Sequence, residues 1–144
     1  MGIFDFWHRF RRQHDRRMAL DTLAAEVDRN LESYYVMFQI NRRRSFQLER
    51  WQAMASFPEI VFDEVFLKYV RAIEVYQTVF KEFQDYEQWY TSDPDRKTKE
   101  NGQLLHAKKE AVEQAFSGLE AVIKSAREQL VMIINAGCSP SAAT

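Results

Sequence analysis

Glycine and proline are scarce in this chain of 144 residues, which contains four of the first and three of the second. Both residues interrupt helices, so their scarcity favours long helices joined by short connections. The single cysteine, Cys138, excludes an internal disulfide and favours a reducing compartment. Apolar runs of the about 18 residues that cross a bilayer are also missing. We therefore expect a cytoplasmic protein without a membrane span.

A strong charge of either sign is lacking as well, because the formal net charge is −1. Proteins that bind nucleic acid usually present a basic field and a recognisable reading element, and neither is visible here. We therefore expect no nucleic-acid partner. What positive charge there is lies unevenly, since residues 1–17 hold five arginines against two aspartates.

Catalytic motifs are missing from the sequence. It has no Gly-rich phosphate loop, no Gly-x-Ser-x-Gly and no pair of Glu-x-x-His motifs of the kind that hold two metal ions in helical bundles. His106 and Glu110 have the spacing of neighbours on a helix, but a metal site needs further ligands. We predict a protein that is not an enzyme, with no cofactor, no metal and no small-molecule substrate.

The strongest positive signal is a helical pattern between residues 60 and 90, where large apolar residues recur at spacings of four and three. This line consists of Phe62, Phe66, Tyr69, Ile73, Tyr76, Phe80, Phe83 and Tyr90. A second apolar line lies beside it and consists of Val61, Val65, Ala72, Val75, Val79, Tyr86 and Trp89. Two adjacent lines form a wider face than a two-stranded coiled coil needs, so we expect contact with more than one partner helix.

Two further helices show the same spacing. Residues 18–40 have an apolar line with charged residues such as Glu26 opposite it, and the line consists of Leu20, Leu23, Ala24, Val27, Leu31, Tyr34, Tyr35 and Phe38. From Leu104 onward the predicted line is Leu105, Val112, Ala115, Leu119, Val122, Ala126 and Ile133, with Phe116, Ile123 and Leu130 beside it. Gly137 is expected to stop this helix, leaving residues 137–144 as a disordered tail.

The connections are predicted from breaks in these patterns. A run of arginines, Arg42, Arg43 and Arg44, follows Asn41 and favours a helix end, where cations suit the helix dipole. The same arginines are candidates for contact with phosphate or an acidic surface. Residues 46–57 predict a short corner helix, which Pro58 terminates. Tyrosines beside the apolar lines are expected to keep their hydroxyl groups in water, the alternative being a bundle that holds a small amphipathic ligand.

Residues 2–17 form the most suggestive stretch for function. On a helix, five apolar residues fall within an arc of roughly 160° and arginines occupy the remainder. The apolar residues are Ile3, Phe4, Phe6, Trp7 and Phe10, and the arginines nearest to them in the sequence are Arg9, Arg11 and Arg12. Such a helix can lie in a membrane interface. Alternatively, the aromatic side chains fold back onto the bundle or form a dimer contact.

We predict an all-α protein, an elongated antiparallel up-down bundle of three long helices plus a short corner helix. The amphipathic N-terminal helix at residues 1–17 precedes a bundle domain at residues 18–136 and is either separate from it or continuous with it. The predicted function is non-enzymatic interaction or scaffolding, peripheral to the cytoplasmic side of the inner membrane through that helix. The alternative is a soluble regulatory or assembly module whose N-terminal aromatic residues contact a second copy or a partner protein.

Overall fold

The computed structural model describes residues 2–138, together with their side chains except those at positions 4, 6, 8–10, 137 and 138. Six α-helices follow one another along residues 2–138, which contain no strand, and this confirms the all-α prediction. They are α1 (Ile3–Ile40), α2 (Glu49–Gln52), α3 (Pro58–Val61), α4 (Glu64–Thr91), α5 (Lys99–Ser117) and α6 (Leu119–Cys138). Between residues 2 and 138, none of these helices combines the length and hydropathy that crossing a bilayer requires.

Helix α1 joins the amphipathic N-terminal stretch and the next predicted helix into one element of 38 residues, about 57 Å long. It ends where the sequence predicts, at Asn41, which has left-handed backbone angles (φ 51°). The N–H of Arg42 donates to the carbonyl of Met37, and the N–H of Asn41 donates to that of Phe38. This is a Schellman ending, and asparagine is one of the few residues that accept its geometry.

The connection from α1 to α4 is longer and more irregular than a corner helix. Helix α2 is a single turn, followed by a 3₁₀ turn at Ala53–Ser56 and by α3 with Pro58 at its first position. Helix α4 begins at Glu64, because the carboxylate of Asp63 accepts the N–H of Val65 at 2.9 Å and so caps a new helix. The predicted core position Phe62 lies in the turn before this cap and is 75% exposed.

The core face of α4 otherwise follows the predicted line of large apolar residues. The fully or almost fully buried members of that line are Phe66, Tyr69, Ile73, Tyr76 and Phe80. Helix α4 packs against both α5 and α6, while α1 packs against α6. The expectation that the central helix contacts more than one partner is therefore confirmed.

Helices α5 and α6 form almost one continuous rod, interrupted at Gly118. The buried line along this rod has spacings of four and three and mixes the two predicted lines; it consists of Val112, Phe116, Leu119, Ile123, Ala126 and Leu130. Helix α6 continues through Gly137 to Cys138, so the predicted stop at the glycine is wrong by at least one residue. The rest of the predicted tail, residues 139–144, lies outside the described part of the chain.

The direction of α1 relative to the α5–α6 rod follows from two contacts. Asp28 pairs with Arg127 at 2.9 Å, and the ring of Tyr34 stacks on that of Phe116 with their centroids 4.5 Å apart. A later position in α1 thus faces an earlier position in the rod. Helix α1 is therefore antiparallel to α5 and α6.

Helix α4 runs against the same rod. Gln129 donates to Asp63 at 2.9 Å at the start of α4, and Tyr86 donates to the carbonyl of Asn101 at 3.3 Å near its end. Since α1 and α4 both oppose the rod, they run in the same direction as each other. This corrects the predicted up-down layout between the first two long helices. Residues 42–63, interpreted from the sequence as a corner, are long enough to carry the chain back along the bundle.

Candidate functional site

The first candidate is the N-terminal extension, which we define as residues 3–17 of α1. Among the described side chains, Leu20 is the first buried one of the chain. Ile3 is 75% exposed and Trp7 is 59% exposed. Arg16 provides a contact with the body of the protein, an exposed ion pair with Glu59 at 3.1 Å. The extension therefore reaches beyond the core as part of a continuous helix.

Ile3 and Trp7, the two apolar residues of the extension with described side chains, lie on the side of α1 away from the core. At about 100° per residue, Ile3 and Trp7 lie roughly 150° around α1 from the line of Leu20, Leu23 and Val27, which faces the core. A single helix cannot present both faces to the same bundle. The structure thus does not bring Ile3 or Trp7 to the core.

Two of the three arginines predicted to contact a partner have side chains that the structure describes. Arg11 and Arg12 are exposed beside the apolar face. The other predicted contact residues, Arg9 and the group Phe4, Phe6 and Phe10, have side chains outside the described set, although their backbone is helical.

The second candidate is at the opposite end of α1, in an extended segment that we call the strap (residues 42–48). Its backbone is held by side chains of other helices. The hydroxyl of Tyr76 donates to the carbonyl of Arg44 at 2.7 Å, and the N–H of Phe46 donates to Gln77 at 3.1 Å. The side-chain amide of Asn30 both donates to and accepts from the backbone of Gln47, at 2.8 and 3.1 Å. The path of the strap is therefore fixed.

Buried polar side chains complete this attachment. Asn30 also donates to the hydroxyl of Tyr69 at 2.7 Å, and both side chains are buried. Burial raises the pKa of the Tyr69 phenol well above its ordinary value and that of Tyr76 to about 12. The expectation that the tyrosine hydroxyls face water is wrong for these two residues. Their polar groups bond to the chain itself.

Glu26 is predicted to lie on the solvent-facing side of α1, but the structure buries it, with 4% of the residue exposed. Its two carboxylate oxygens accept the N–H groups of Arg50 and Trp51 at 2.8 and 3.2 Å. These are orphan donors at the start of α2, and a carboxylate there also suits the helix dipole. The sequence pattern missed this role because the partner helix has a single turn and no periodic signal.

Arg43 is the central residue of the predicted arginine run, and it is engaged within the fold. Its guanidinium donates to Glu113 from Nη2 at 2.7 Å and from Nε at 3.1 Å, and Nη1 donates to the carbonyl of Met37 at 2.9 Å. Its central carbon lies 3.7 Å from the centroid of the Phe116 ring. This arginine joins the strap to α1 and α5, whereas Arg42 and Arg44 on either side of it are exposed.

The strap forms one wall of a groove with a volume of about 720 Å³. The opposite walls come from α4 and α5. The groove is lined by residues 41–45 and by Phe80, Phe83, Gln84, Glu87, Lys109, Val112 and Glu113. Sequence reasoning identified its arginines and missed Lys109, since the residues meet only when the strap returns along the bundle. The groove and the extension lie about 50 Å apart along α1, so the two predicted sets of contact residues form separate sites.

Metal-ligating residues do not converge in the part of the chain that the structure describes, where no cluster of three or more histidine, cysteine or acidic side chains occurs. His106 and Glu110 lie 3.0 Å apart on the surface of α5. Comparisons of the chain with protein-family models, with curated proteins and with solved structures found no significant match.

Proposed function

We propose that this protein is a non-enzymatic interaction protein that attaches to an anionic membrane surface through its N-terminal extension. The observation that carries the proposal is the position of Ile3 and Trp7, exposed on a helix that projects past the core and turned away from the bundle. A folded chain gains nothing from large apolar side chains in water, and a membrane interface would accept them.

Charge supports an anionic surface as the partner. Residues 1–17 contain five arginines and two aspartates, in a chain whose net charge is −1. Each cation near an anionic leaflet contributes about 1 kcal/mol, and the cytoplasmic leaflet carries the anionic lipids. Aromatic side chains flanked by arginines are typical of helices that lie in the interface plane. The location that we propose is accordingly the cytoplasmic side of the inner membrane.

The continuity of α1 gives the proposal a mechanical consequence. Because residues 3–40 form one helix, an extension bound to lipid would orient the entire bundle relative to the surface. The strap would then lie at the far end of α1, accessible to molecules in solution. A protein with this layout would act as a scaffold that holds its distal end near the membrane surface in a fixed orientation.

Co-sedimentation with liposomes tests the proposal. The wild-type protein is compared with an Ile3→Glu/Trp7→Glu variant on phosphatidylglycerol and on phosphatidylcholine vesicles. Two acidic residues in place of two apolar ones remove the apolar contact and add repulsion, so at least a tenfold loss of binding is expected. Binding by the wild type should also weaken with salt and be absent on the neutral vesicles.

The matched control is Phe38→Glu/Ile40→Glu, which changes two exposed apolar residues at the other end of the same helix (65% and 48% exposed). It should bind vesicles as the wild type does. If the wild type does not sediment with either lipid, or if both variants lose binding equally, the membrane proposal is overturned.

Self-association or a partner-protein contact through the same face is the second candidate, as part of a soluble regulatory or assembly module. The exposed apolar pair Ile3 and Trp7, one helical turn apart, favours it because such pairs also form helix–helix contacts. Sedimentation velocity separates the two ideas: a dimer that the Ile3→Glu/Trp7→Glu variant dissociates, without lipid binding by the wild type, supports this candidate.

A further inference from the structure

The groove beside the strap joins an apolar lining to a cationic rim. Phe80 and Val112 are buried, Phe83 is half-buried, and these three residues from α4 and α5 supply the apolar part. Arg42 and Arg44 from the strap and Lys109 from α5 supply the cations. The two kinds of surface therefore meet in one cavity, although they come from three separate segments of the chain.

The charges of the rim are not balanced within the fold. Arg43 and Glu113 neutralise each other, with 2.7 Å between them. Among the ion pairs between described residues, none includes Arg42, Arg44 or Lys109. Glu87 supplies the remaining carboxylate of the lining. Three cations thus face one acid, an arrangement that favours an anion with few charges over a polyanion.

The backbone that bears the two exposed arginines of the rim is held in place by other parts of the fold. The carbonyl of Arg44 is held by Tyr76, and the carbonyl of Met37 and the carboxylate of Glu113 hold the neighbouring Arg43. The N–H of Arg42 takes part in the Schellman ending of α1, because it donates to the carbonyl of Met37. A ligand that pairs with the two exposed arginines therefore does not have to order the backbone that bears them, which reduces the free-energy cost of binding.

We propose that this groove binds an amphipathic organic anion, a small molecule with an apolar or aromatic body and one acidic group. The body would lie against Phe80, Phe83 and Val112, and the acid would accept hydrogen bonds from the guanidinium groups of Arg42 and Arg44. A volume of about 720 Å³ suits a ligand of this kind. The site is independent of the proposed membrane contact, which lies at the other end of α1.

Nuclear magnetic resonance titration of the full chain tests the proposal with three compounds. The first is 2-naphthoate, which has both an aromatic body and a carboxylate. The second is 2-naphthamide, which has the same body without the charge, and the third is inorganic phosphate, which has charge without the body. Backbone amide signals of the residues that line the groove report binding at the site.

The expected result is that 2-naphthoate shifts the groove signals, with 2-naphthamide and phosphate each binding roughly tenfold more weakly, because each lacks one part of the recognition. An Arg42→Gln/Arg44→Gln variant should lose roughly tenfold or more in affinity for 2-naphthoate. Both arginines are exposed, so this variant should keep the circular dichroism of the wild type.

A control variant removes the same charge from elsewhere on the surface. Lys68→Gln/Arg71→Gln changes two exposed cations of α4 outside the groove and should bind 2-naphthoate as the wild type does. Equal losses in the two variants, signal changes outside the groove, or equal affinity for the acid and the amide would each overturn the proposal. Phosphate binding as tight as that of 2-naphthoate would overturn it too, because the apolar lining would then contribute nothing.

Discussion

Single polar side chains of α1 and α4 decide where the strap and the start of α2 lie. Asn30, Tyr69, Tyr76 and Glu26 are buried, and each bonds to another part of the chain. A periodic pattern distinguishes apolar from polar positions and assigns polar residues to water. These four residues are buried instead, because their hydrogen-bond partners are backbone groups and side chains that only the folded chain brings near. Their roles could not be predicted from spacing alone.

Burial of the tyrosines predicts a loss of stability at alkaline pH. The pKa of Tyr76 is raised from 10.0 to about 12, because the ionised phenolate is disfavoured inside the fold. Between these values the unfolded chain releases a proton that the folded chain keeps. Ionisation of Tyr76 should therefore leave the free energy of unfolding unchanged below about pH 10 and lower it as the pH rises towards about 12. Urea denaturation across this range provides the measurement.

A pair of variants isolates the contribution of Tyr76. Tyr76→Phe removes the titrating group and should decrease the alkaline slope. The same variant leaves the carbonyl of Arg44 without its hydrogen bond, which should cost about 1–3 kcal/mol at neutral pH. Tyr35→Phe removes a more exposed hydroxyl and is the matched control for loss of a phenol. An unchanged slope in Tyr76→Phe would show that this phenol does not control the alkaline transition.

The limits of the helices show which signals in the sequence are reliable. The end of α1 at Asn41 and the buried line from Phe66 to Phe80 follow the predicted pattern. The start of α4 does not, since the apolar spacing continues through Phe62 while the helix begins after Asp63. Spacing identifies which residues can share a face, whereas a capping side chain decides where the backbone turns. To predict where a helix begins, the capping residue has to be considered together with the apolar spacing.

Replacement of the cap therefore has a defined cost. Asp63→Ala removes the acceptor for the first N–H groups of α4 and the partner of Gln129, and should destabilise the protein by about 1–2 kcal/mol. Asp63→Asn keeps a capping oxygen and should recover most of that loss. Chemical denaturation measures both. If the alanine variant were as stable as the wild type, the start of α4 would depend on packing alone.

The arrangement of the helices in the whole molecule was the property hardest to predict from the sequence. The all-α class and the buried line from Phe66 to Phe80 could be predicted, because each depends on local periodicity. The three predicted long helices became four, since the last one is divided into α5 and α6 at Gly118. The parallel course of α1 and α4 depends on how far residues 42–63 travel, and the pattern of that segment predicts only a short corner helix. The groove depends on the same return path, so its complete lining could not be predicted either.

Deletion of residues 2–15 tests the division between extension and core. The described side chains of this stretch are exposed, and the Arg16–Glu59 pair is retained, so the free energy of unfolding should change by less than about 1 kcal/mol. Thermal denaturation of the shortened and full chains gives the comparison. A loss of several kcal/mol would mean that the extension stabilises the bundle, contrary to its proposed role as a contact surface.

The pairing of α1 with α6 has a consequence for the order of events during synthesis. The apolar line of α1 from Leu20 to Met37 packs against the helix that the ribosome produces about a hundred residues later. At typical elongation rates this corresponds to about 5–20 s in which the first helix exists without its partner. During that interval its apolar line is exposed to chaperones, to other nascent chains and to any membrane nearby.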